Sequence, residues 1–469
     1  ETGRDGKHIL IANGGPAVLI LIRKGRPSEQ QRTHEGNSRD SYQLAPLPRL
    51  NRNKKPKSYC SILSALSENW KLGIKLTLKV HIRPSAVPEV LKLAGANVFL
   101  HEGKLLIGYG VAFRLAAQGS ERIEQLSSQW QKLVENCEIV DEVAVPGSGL
   151  VGLTSITFSP NSSSESVIIV PAKTLVIQQG HCYEVLVDTE AAYEVGNTPE
   201  GSFLAGSQTE AGFMSSVEQA IAEIGEGKLE KVVLARDLVL PTIEPVELAP
   251  ALERLHERYP HCWTYRVESV FGASPELLIR SEGGEVSARV LAGTAGRGTD
   301  PDVDRAIADG LSHSLKNKHE HGYAVQSLVS ALEPYCSVVE ADDEPFSLAL
   351  PDLWHLATDV KGKLKSKTSL LAVVSALHPT AAVAGTPRGA ALKLIEELEP
   401  FDRAGYAGPV GWLSSDGSGE IAIALRGGVL EPGQIRAMAG CGIVSESEPE
   451  AELSETELKF RAVRWALGA

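Results

Sequence analysis

The pattern of apolar and polar residues predicts strands from about residue 74 onward. The runs LTLKVHI, ANVFLH and KLLIGYGVAFRL alternate in polarity or cluster residues that favour strands. An amphipathic helix is predicted at 120–135, where apolar residues recur at helical spacing, namely Ile123, Leu126, Trp130 and Leu133. The runs GLVGLTSITF, SVIIVPA and TLVIQQG then predict three more strands.

In the second half of the chain, the apolar pattern predicts long helices between antiparallel hairpins. A hairpin over 275–293 turns at Gly283 and Gly284, where two glycines allow a tight turn. The other predicted elements are helices at 211–226, 247–259, 301–333 and 387–398, strands at 231–240, 408–414 and 420–430, and a last helix from about Glu450. This alternation favours an α+β protein with large sheets over a doubly wound parallel one.

The N-terminal segment differs from the rest of the chain in its composition and apolar pattern. The apolar run Ile9–Ile22 is interrupted by N-G-G-P, so a hairpin is the favoured interpretation, and the apolar core of a secretory signal is the alternative. Residues 23–57 are basic and polar, which indicates a loop or a disordered segment. The polar stretch 188–213 is a candidate boundary between two halves of the remaining chain.

Composition narrows the class of function. The 469 residues carry a formal net charge of −13. Such a charge argues against nucleic acid as a partner, yet is compatible with a small anion in a locally positive pocket. Six cysteines without a C-x-x-C pair indicate reduced thiols and a cytoplasmic protein. No apolar run reaches the roughly 18–20 residues of a membrane-spanning helix, so a membrane partner is not expected.

The stretch KNKHEHGYAV raises the question of a metal site. His319 and His321 are two residues apart, so they cannot both face one ion as in the zinc helix of a peptidase. Glu320 is a separate candidate, and Glu452 and Glu455 share one face of the last helix with Lys459. A magnesium ion is typically bound by a few carboxylates, and water and substrate complete its ligand shell. The alternative for the last helix is a solvated charged face.

Other candidates have simple structural alternatives. Lys231 opens an apolar strand, where it is either an edge lysine or a general base. Glu276 follows a proline at a strand entrance, and Arg426 is a lone charge after an apolar strand, as in bidentate carboxylate binding. The glycine-rich turns 291–296 and 438–444 are either tight turns or anion-binding backbone.

In this order, the motifs resemble those of the chorismate-utilising enzymes, specifically the isochorismate synthases. The resemblance covers roughly residues 75–469 and is carried by ten strings between 231 and 459: KVVLAR, GASPELL, LAGTAGRG, KNKHEH, LWHLAT, LHPTAAVAGTP, EPFDRAGYAGPVGW, IALRGG, AGCGIV and SETELKF. It implies an α+β fold, the large intertwined α/β sandwich of the anthranilate synthase component I-like type, with antiparallel sheets flanked by helices. It also implies a single chorismate-binding catalytic domain over 74–469, with halves 74–205 and 206–469, after an unmatched segment 1–73.

The resemblance assigns roles to individual residues. Lys231 would be the base that activates water for attack on C2 of chorismate, and Glu276 the acid that protonates the departing C4 hydroxyl. Glu320 and Glu455 would ligate Mg²⁺, with Glu452 acting through water. The residues implied in substrate binding are Gly293, Thr294, His355, Val383, Tyr406, Leu425, Arg426, Gly440, Gly442 and Lys459.

Within the family, Lys231 discriminates among activities. Ammonia-using anthranilate synthases typically carry glutamine there, and aminodeoxychorismate synthases carry a lysine where this chain has Ala292, so water is the expected nucleophile. A salicylate synthase, which goes on to eliminate pyruvate, and a catalytically silent homologue are the alternatives. The resemblance favours a monomer and leaves open whether the product serves menaquinone, siderophore or salicylate biosynthesis. Asn317 and Ala381 depart from the pattern of many relatives without touching the implied acid, base or metal ligands.

Overall fold

The computed structural model describes residues 78–188, 196–349, 353–366 and 368–469, without the side chains of Lys316, Glu320 and Leu353. The predicted hairpin at Ile9–Ile22 and the basic segment 23–57 lie outside the described residues. One compact unit comprises Leu78–Val87 and Lys92–Ala469.

Strands dominate the first half of the described chain, as the apolar pattern predicts. They are β1 (Leu78–Pro84), β2 (Asn97–His101), β3 (Lys104–Tyr109), β4 (Phe113–Ala117), β5 (Cys137–Asp141), β6 (Val151–Ser155), β7 (Ser166–Val170), β8 (Lys173–Gln178), β9 (His181–Val187) and β10 (Leu204–Ala205).

The second half contains longer strands. They are β11 (Lys231–Pro241), β12 (Trp263–Val267), β13 (Val270–Ser274), β14 (Leu277–Glu282), β15 (Glu285–Gly296), β16 (Cys336–Ala341), β17 (Phe346–Ala349), β18 (Leu353–Leu364), β19 (Gly385–Thr386), β20 (Pro409–Ser414), β21 (Gly419–Ile423), β22 (Gly427–Glu431) and β23 (Gln434–Ile443). The predicted strand 420–430 is therefore two strands, because the chain breaks at Leu425 and Arg426.

The helices in the described part of the chain are α1 (Arg122–Glu135), α2 (Glu210–Gly225), α3 (Ala249–Arg258), α4 (Pro301–His313), α5 (Leu315–Leu332), α6 (Leu370–Leu377), α7 (Arg388–Leu398) and α8 (Pro449–Leu467). The single helix predicted over 301–333 is wrong. Ser314 adopts an extended conformation, and its hydroxyl accepts a hydrogen bond from Asn317 N–H, so it caps a second helix. No helix within the described ranges combines the length and apolar character needed to cross a membrane.

The strands form two sheets. The first has the order β10-β11-β23-β22-β13-β12-β2-β3-β8-β9-β1-β5, with β19 also paired to β11. The second has the order β16-β18-β15-β14-β21-β20-β6-β7-β4, with β17 paired to β18. Neighbouring strands are antiparallel except for β1 and β5. The predicted α+β class is confirmed.

The two sheets face each other, and the helices lie outside them. Strands β2 and β12 of the first sheet contact β6 and β20 of the second, while α2, α3, α7 and α8 pack on the first sheet and α1, α4, α5 and α6 on the second. Several short connections carry the chain from one sheet to the other, and two of them lie in the second half of the chain. We call these two the first crossover (Pro275–Glu276, between β13 and β14) and the second crossover (Ala424–Arg426, between β21 and β22). These crossovers place charged residues at a junction of the two sheets.

Candidate active site

Lys231 begins β11, where two neighbouring strands fix its backbone. It is the register partner of Thr386 in β19, and the following residue, Val232, pairs with Ile443 in β23. The side chain of Lys231 runs over Gly442, since a Cβ at Gly442 would lie 2.7 Å from Lys231 Cε and 3.3 Å from Nζ. The glycine in AGCGIV therefore leaves room for the lysine stem.

Glu276 lies on the first crossover, and hydrogen bonds hold its backbone from both sides. Its N–H donates to Ser274 Oγ at 3.1 Å, and its carbonyl accepts from Ile423 N–H at 3.0 Å. Surrounding protein desolvates the carboxyl and raises the pKa of Glu276 to about 7, against the opposing effect of Lys231, Arg426 and Lys459. Glu276 can therefore hold a proton at neutral pH and release it, as a general acid must.

Arg426 ends the second crossover in a strained conformation. Its φ of 54° lies in the left-handed region, which is uncommon for a residue with a side chain. The guanidinium is close enough to lower the pKa of Glu276, His355 and Tyr406 by its charge. The residue with the left-handed backbone thus carries a guanidinium that acts electrostatically on Glu276.

The helix α8 adds a second cation. Lys459 Nζ lies 2.7 Å from the carbonyl oxygen of Gly440 and 2.6 Å from Glu455 Oε1. Since Gly440 and Gly442 both belong to β23, the helix and the strand are joined at the edge of the site that also holds the Lys231 stem. The predicted ion pair between Glu455 and Lys459 is present.

Thr294 and His355 form a hydrogen-bonded pair on adjacent strands of the second sheet. Thr294 Oγ1 lies 2.9 Å from His355 Nδ1. A bulge precedes Thr294, because the register shifts at Gly293, whose φ is 80°. Burial lowers the pKa of His355 to about 4, with Arg426 and Lys459 contributing, so the imidazole is neutral at pH 7.

The other implied substrate contacts line the interior of the same region. Val383 and Tyr406 are buried, and Leu425 is half-buried on the second crossover. Burial raises the pKa of Tyr406 to about 12, so its hydroxyl remains a hydrogen-bond donor. A neutral phenol and an aliphatic wall next to several cations suit a ring compound that carries carboxylates.

The two histidines of KNKHEH do not point to a common site. His321 is buried, with Nε2 2.7 Å from Thr358 Oγ1 and Nδ1 3.2 Å from the Ala292 carbonyl oxygen, whereas His319 is exposed. His321 thus fastens α5 to β15 and β18. Glu320 lies in α5, and its side chain is outside the described residues.

The carboxylates of α8 fit the chemistry of a magnesium site in part. Glu452 accepts a hydrogen bond from Ser447 at 2.7 Å, and the Glu455 side chain is 50% exposed next to Lys459. The described side chains contain no group of three or more His, Cys, Asp or Glu that could hold a metal ion. Two hard oxygen donors nevertheless suit Mg²⁺, which takes one or two protein carboxylates and completes its shell with water and substrate.

The buried ion pair between Arg403 and Glu399 was not predicted from the motifs. Both side chains are 3% exposed, and their nearest atoms are 2.5 Å apart. Arg403 also donates to the carbonyls of Val383 and Val233, while Glu399 accepts from Ala235 N–H. The pair fills the open edge of β11 beyond β19. Its only sequence signal is the i, i+4 spacing within EPFDR, which is equally typical of an exposed helical pair.

The site therefore brings together most of the residues that the motifs indicate. One carboxyl with a pKa of about 7 lies within electrostatic reach of three basic side chains, those of Lys231, Arg426 and Lys459. The neutral pair of Thr294 and His355 lies within the electrostatic reach of two of them. Such a site can bind a small dianion and move protons on opposite sides of it.

Comparisons with known proteins point to one family of enzymes. The family model for chorismate binding enzymes matches residues 188–468. The salicylate biosynthesis isochorismate synthase of Pseudomonas aeruginosa is 33% identical over 397 residues, which are 77% of this chain and 82% of that protein. The isochorismate synthase MenF of Bacillus subtilis is 37% identical over 260 residues, or 55% of either chain.

A solved structure extends the likeness to the fold. The putative 2,3-dihydroxybenzoate-specific isochorismate synthase of Bacillus anthracis superposes with a TM-score of 0.66 and 29% identity, over 81% of this chain and 97% of that one. The fold class implied by the motifs is thereby confirmed, as are the resemblance to isochorismate synthases and the isomerase class that accompanies it. The chain belongs to the family of chorismate binding enzymes.

Proposed function

We propose that the protein is a magnesium-dependent isochorismate synthase, which moves the hydroxyl of chorismate from C4 to C2. The single observation that carries the proposal is the carboxyl of Glu276, which has a pKa of about 7 and lies within electrostatic reach of three basic side chains. The names of the relatives point to the same reaction.

The proposed reaction is an allylic exchange of hydroxyl groups that needs a base and an acid. Once Lys231 has given up its own proton to solvent, its free amine removes a proton from water as the water oxygen bonds to C2. The ring double bonds shift, the C4–O bond breaks, and Glu276 protonates the departing oxygen, which leaves as water. Lys231 ends with one proton more and Glu276 with one fewer, so proton exchange with solvent restores both and the net reaction is an isomerisation.

The binding of the substrate follows from charge. Chorismate carries two carboxylates, which Arg426 and Lys459 would bind, and Lys459 also donates to the carbonyl of Gly440 in the glycine-rich turn. Glu320, Glu455 and, through water, Glu452 would hold Mg²⁺. When bound, this ion neutralises a ring carboxylate that would otherwise meet an acidic protein.

Incubation of chorismate and Mg²⁺ with the protein, followed by chromatographic separation, tests the proposal. Isochorismate should form, and formation should stop with Lys231→Ala and on addition of EDTA. Unchanged chorismate with folded wild-type protein would refute the proposal and favour a catalytically silent homologue.

The same experiment separates a second candidate function. A salicylate synthase would release salicylate and pyruvate in equal amounts from the same site. The relative from Pseudomonas aeruginosa takes part in salicylate biosynthesis as an isochorismate synthase, so isochorismate alone remains the expected product.

A further inference from the structure

Two glycines on neighbouring strands of the first sheet lie next to the second crossover. Tyr265 in β12 pairs with Gly272 in β13, and Gly272 pairs with Gly427 in β22. A Cβ at Gly272 would lie 2.5 Å from the Tyr265 hydroxyl oxygen and 2.8 Å from Gly427 Cα. The glycine of GASPELL thus leaves room for the end of the tyrosine side chain, and the first glycine of IALRGG lies next to it in β22.

The hydroxyl at the end of that side chain reaches the second crossover. Tyr265 is 1% exposed, and its hydroxyl donates to the carbonyl oxygen of Leu425 at 3.0 Å. A buried phenol needs such a partner, and so does a partly buried carbonyl. Leu425 directly precedes Arg426, whose backbone is in the left-handed region with a φ of 54°.

A strained residue persists only where its surroundings hold it in place. Among the described contacts, the peptide that precedes Arg426 is held by the Tyr265 hydroxyl, and the carbonyl of Arg426 accepts from Ala273 N–H at 3.4 Å. The second of these hydrogen bonds is long. Ala424 is held separately by backbone hydrogen bonds with Gly408 and Ala407, so the tyrosine makes the shorter of the two described hydrogen bonds to the Leu425–Arg426 end of the crossover.

We propose that Tyr265 is a positioning residue for the reaction, since its hydroxyl holds Leu425 so that the strained Arg426 is aimed at the substrate carboxylate. This inference rests on the proposed function. Tyr265 touches neither the substrate nor the reacting atoms, and it acts only through Arg426.

The test removes one oxygen atom. Tyr265→Phe should lower kcat/KM for chorismate about tenfold, mainly through KM, as for the loss of one hydrogen bond of ordinary strength. Calorimetric Kd for chorismate should weaken by a similar factor. Because the Arg426 cation lowers the pKa of Glu276, whereas Lys231 and Lys459 stay in place, the high-pH limb of kcat/KM should move to higher pH.

Tyr183→Phe is the matched control. Tyr183 is also buried in the first sheet, and its hydroxyl lies 3.3 Å from the Gly147 carbonyl, remote from the site residues along the sheet. It should lower the melting temperature and leave kcat/KM and the pH limb unchanged.

A double-mutant cycle distinguishes positioning from general support. In an Arg426→Ala background, Tyr265→Phe should change kcat/KM and Kd by less than about twofold, because the group that it positions is gone. An equal loss in both backgrounds would overturn the inference, as would a Tyr265→Phe protein with wild-type KM and Kd. A wild type that binds chorismate without converting it would refute the proposed function alone, since the Kd values would still test Tyr265.

Discussion

Gly442→Ala should disable the base while leaving the fold intact. The added Cβ would lie 2.7 Å from Lys231 Cε, whereas ordinary contacts begin at 3.4 Å, so the lysine stem must move by at least 0.7 Å (3.4 − 2.7). A displacement of about 1 Å in a catalytic group costs up to about 100-fold. We therefore expect kcat to fall about 10- to 100-fold, which is about 1.4–2.7 kcal/mol in the barrier.

Stability should respond differently from activity. The backbone at Gly442 is not in the left-handed region, so alanine restricts the unfolded chain and contributes about 0.4–1 kcal/mol to stability. The displaced lysine is half-buried and flexible, and its movement offsets only part of this gain. The melting temperature should therefore stay close to that of the wild type.

Steady-state kinetics and thermal unfolding together form the assay. Gly389→Ala is a suitable control, because a Cβ at this helical glycine meets nothing within 4 Å and should raise stability without affecting kcat. A wild-type kcat in Gly442→Ala would refute the argument that this glycine sets the position of Lys231. A large fall in melting temperature would equally show that the clash is spread through the sheet.

Three further predictions concern titration, metal and stability. Glu276 must be protonated to act, and its pKa is raised to about 7, so kcat/KM should fall about tenfold per pH unit above that value. The residual activity of Glu276→Gln should not show this fall at high pH. Glu455→Gln should weaken Mg²⁺ binding at least tenfold by calorimetry, whereas the exposed Glu450→Gln at the start of the same helix should bind like the wild type. Arg403→Met should lower the free energy of unfolding by about 3–5 kcal/mol in urea titrations, because Glu399 would stay buried without its cation, and the double variant with Glu399→Gln should recover part of the loss. Equal stabilities of Arg403→Met and the double variant would contradict that reasoning.

The sequence predicted the strands and helices well wherever the apolar period was clear. The turn at Gly283 and Gly284 and the last helix lie where the pattern puts them. The break at Ser314 was missed because helical spacing continues through it, and only a hydroxyl that caps the next helix marks the boundary. Local periodicity carries no information about such a change of direction.

The candidate site was predictable as a set of motifs and not as an arrangement. Lys231 and Glu276 could be named from their motifs, but their common cleft depends on crossovers between sheets that join residues far apart in the chain. The roles of Arg403 and Tyr265 could not be predicted, because the i, i+4 spacing of Arg403 also fits an exposed ion pair and Tyr265 fits an ordinary strand residue until their partners are known. Long-range pairing decides these roles.

The two crossovers have a mechanical consequence. The chain that carries Glu276 and the chain that carries Arg426 run side by side from one sheet to the other, paired at Gly272 with Gly427 on one side and at Leu277 with Ala422 on the other. Glu276 and Arg426 therefore both lie on segments that connect the two sheets covalently. A displacement of one sheet relative to the other would move both crossovers. The positions of Glu276 and Arg426 and the packing of the two sheets should therefore be lost in one cooperative transition.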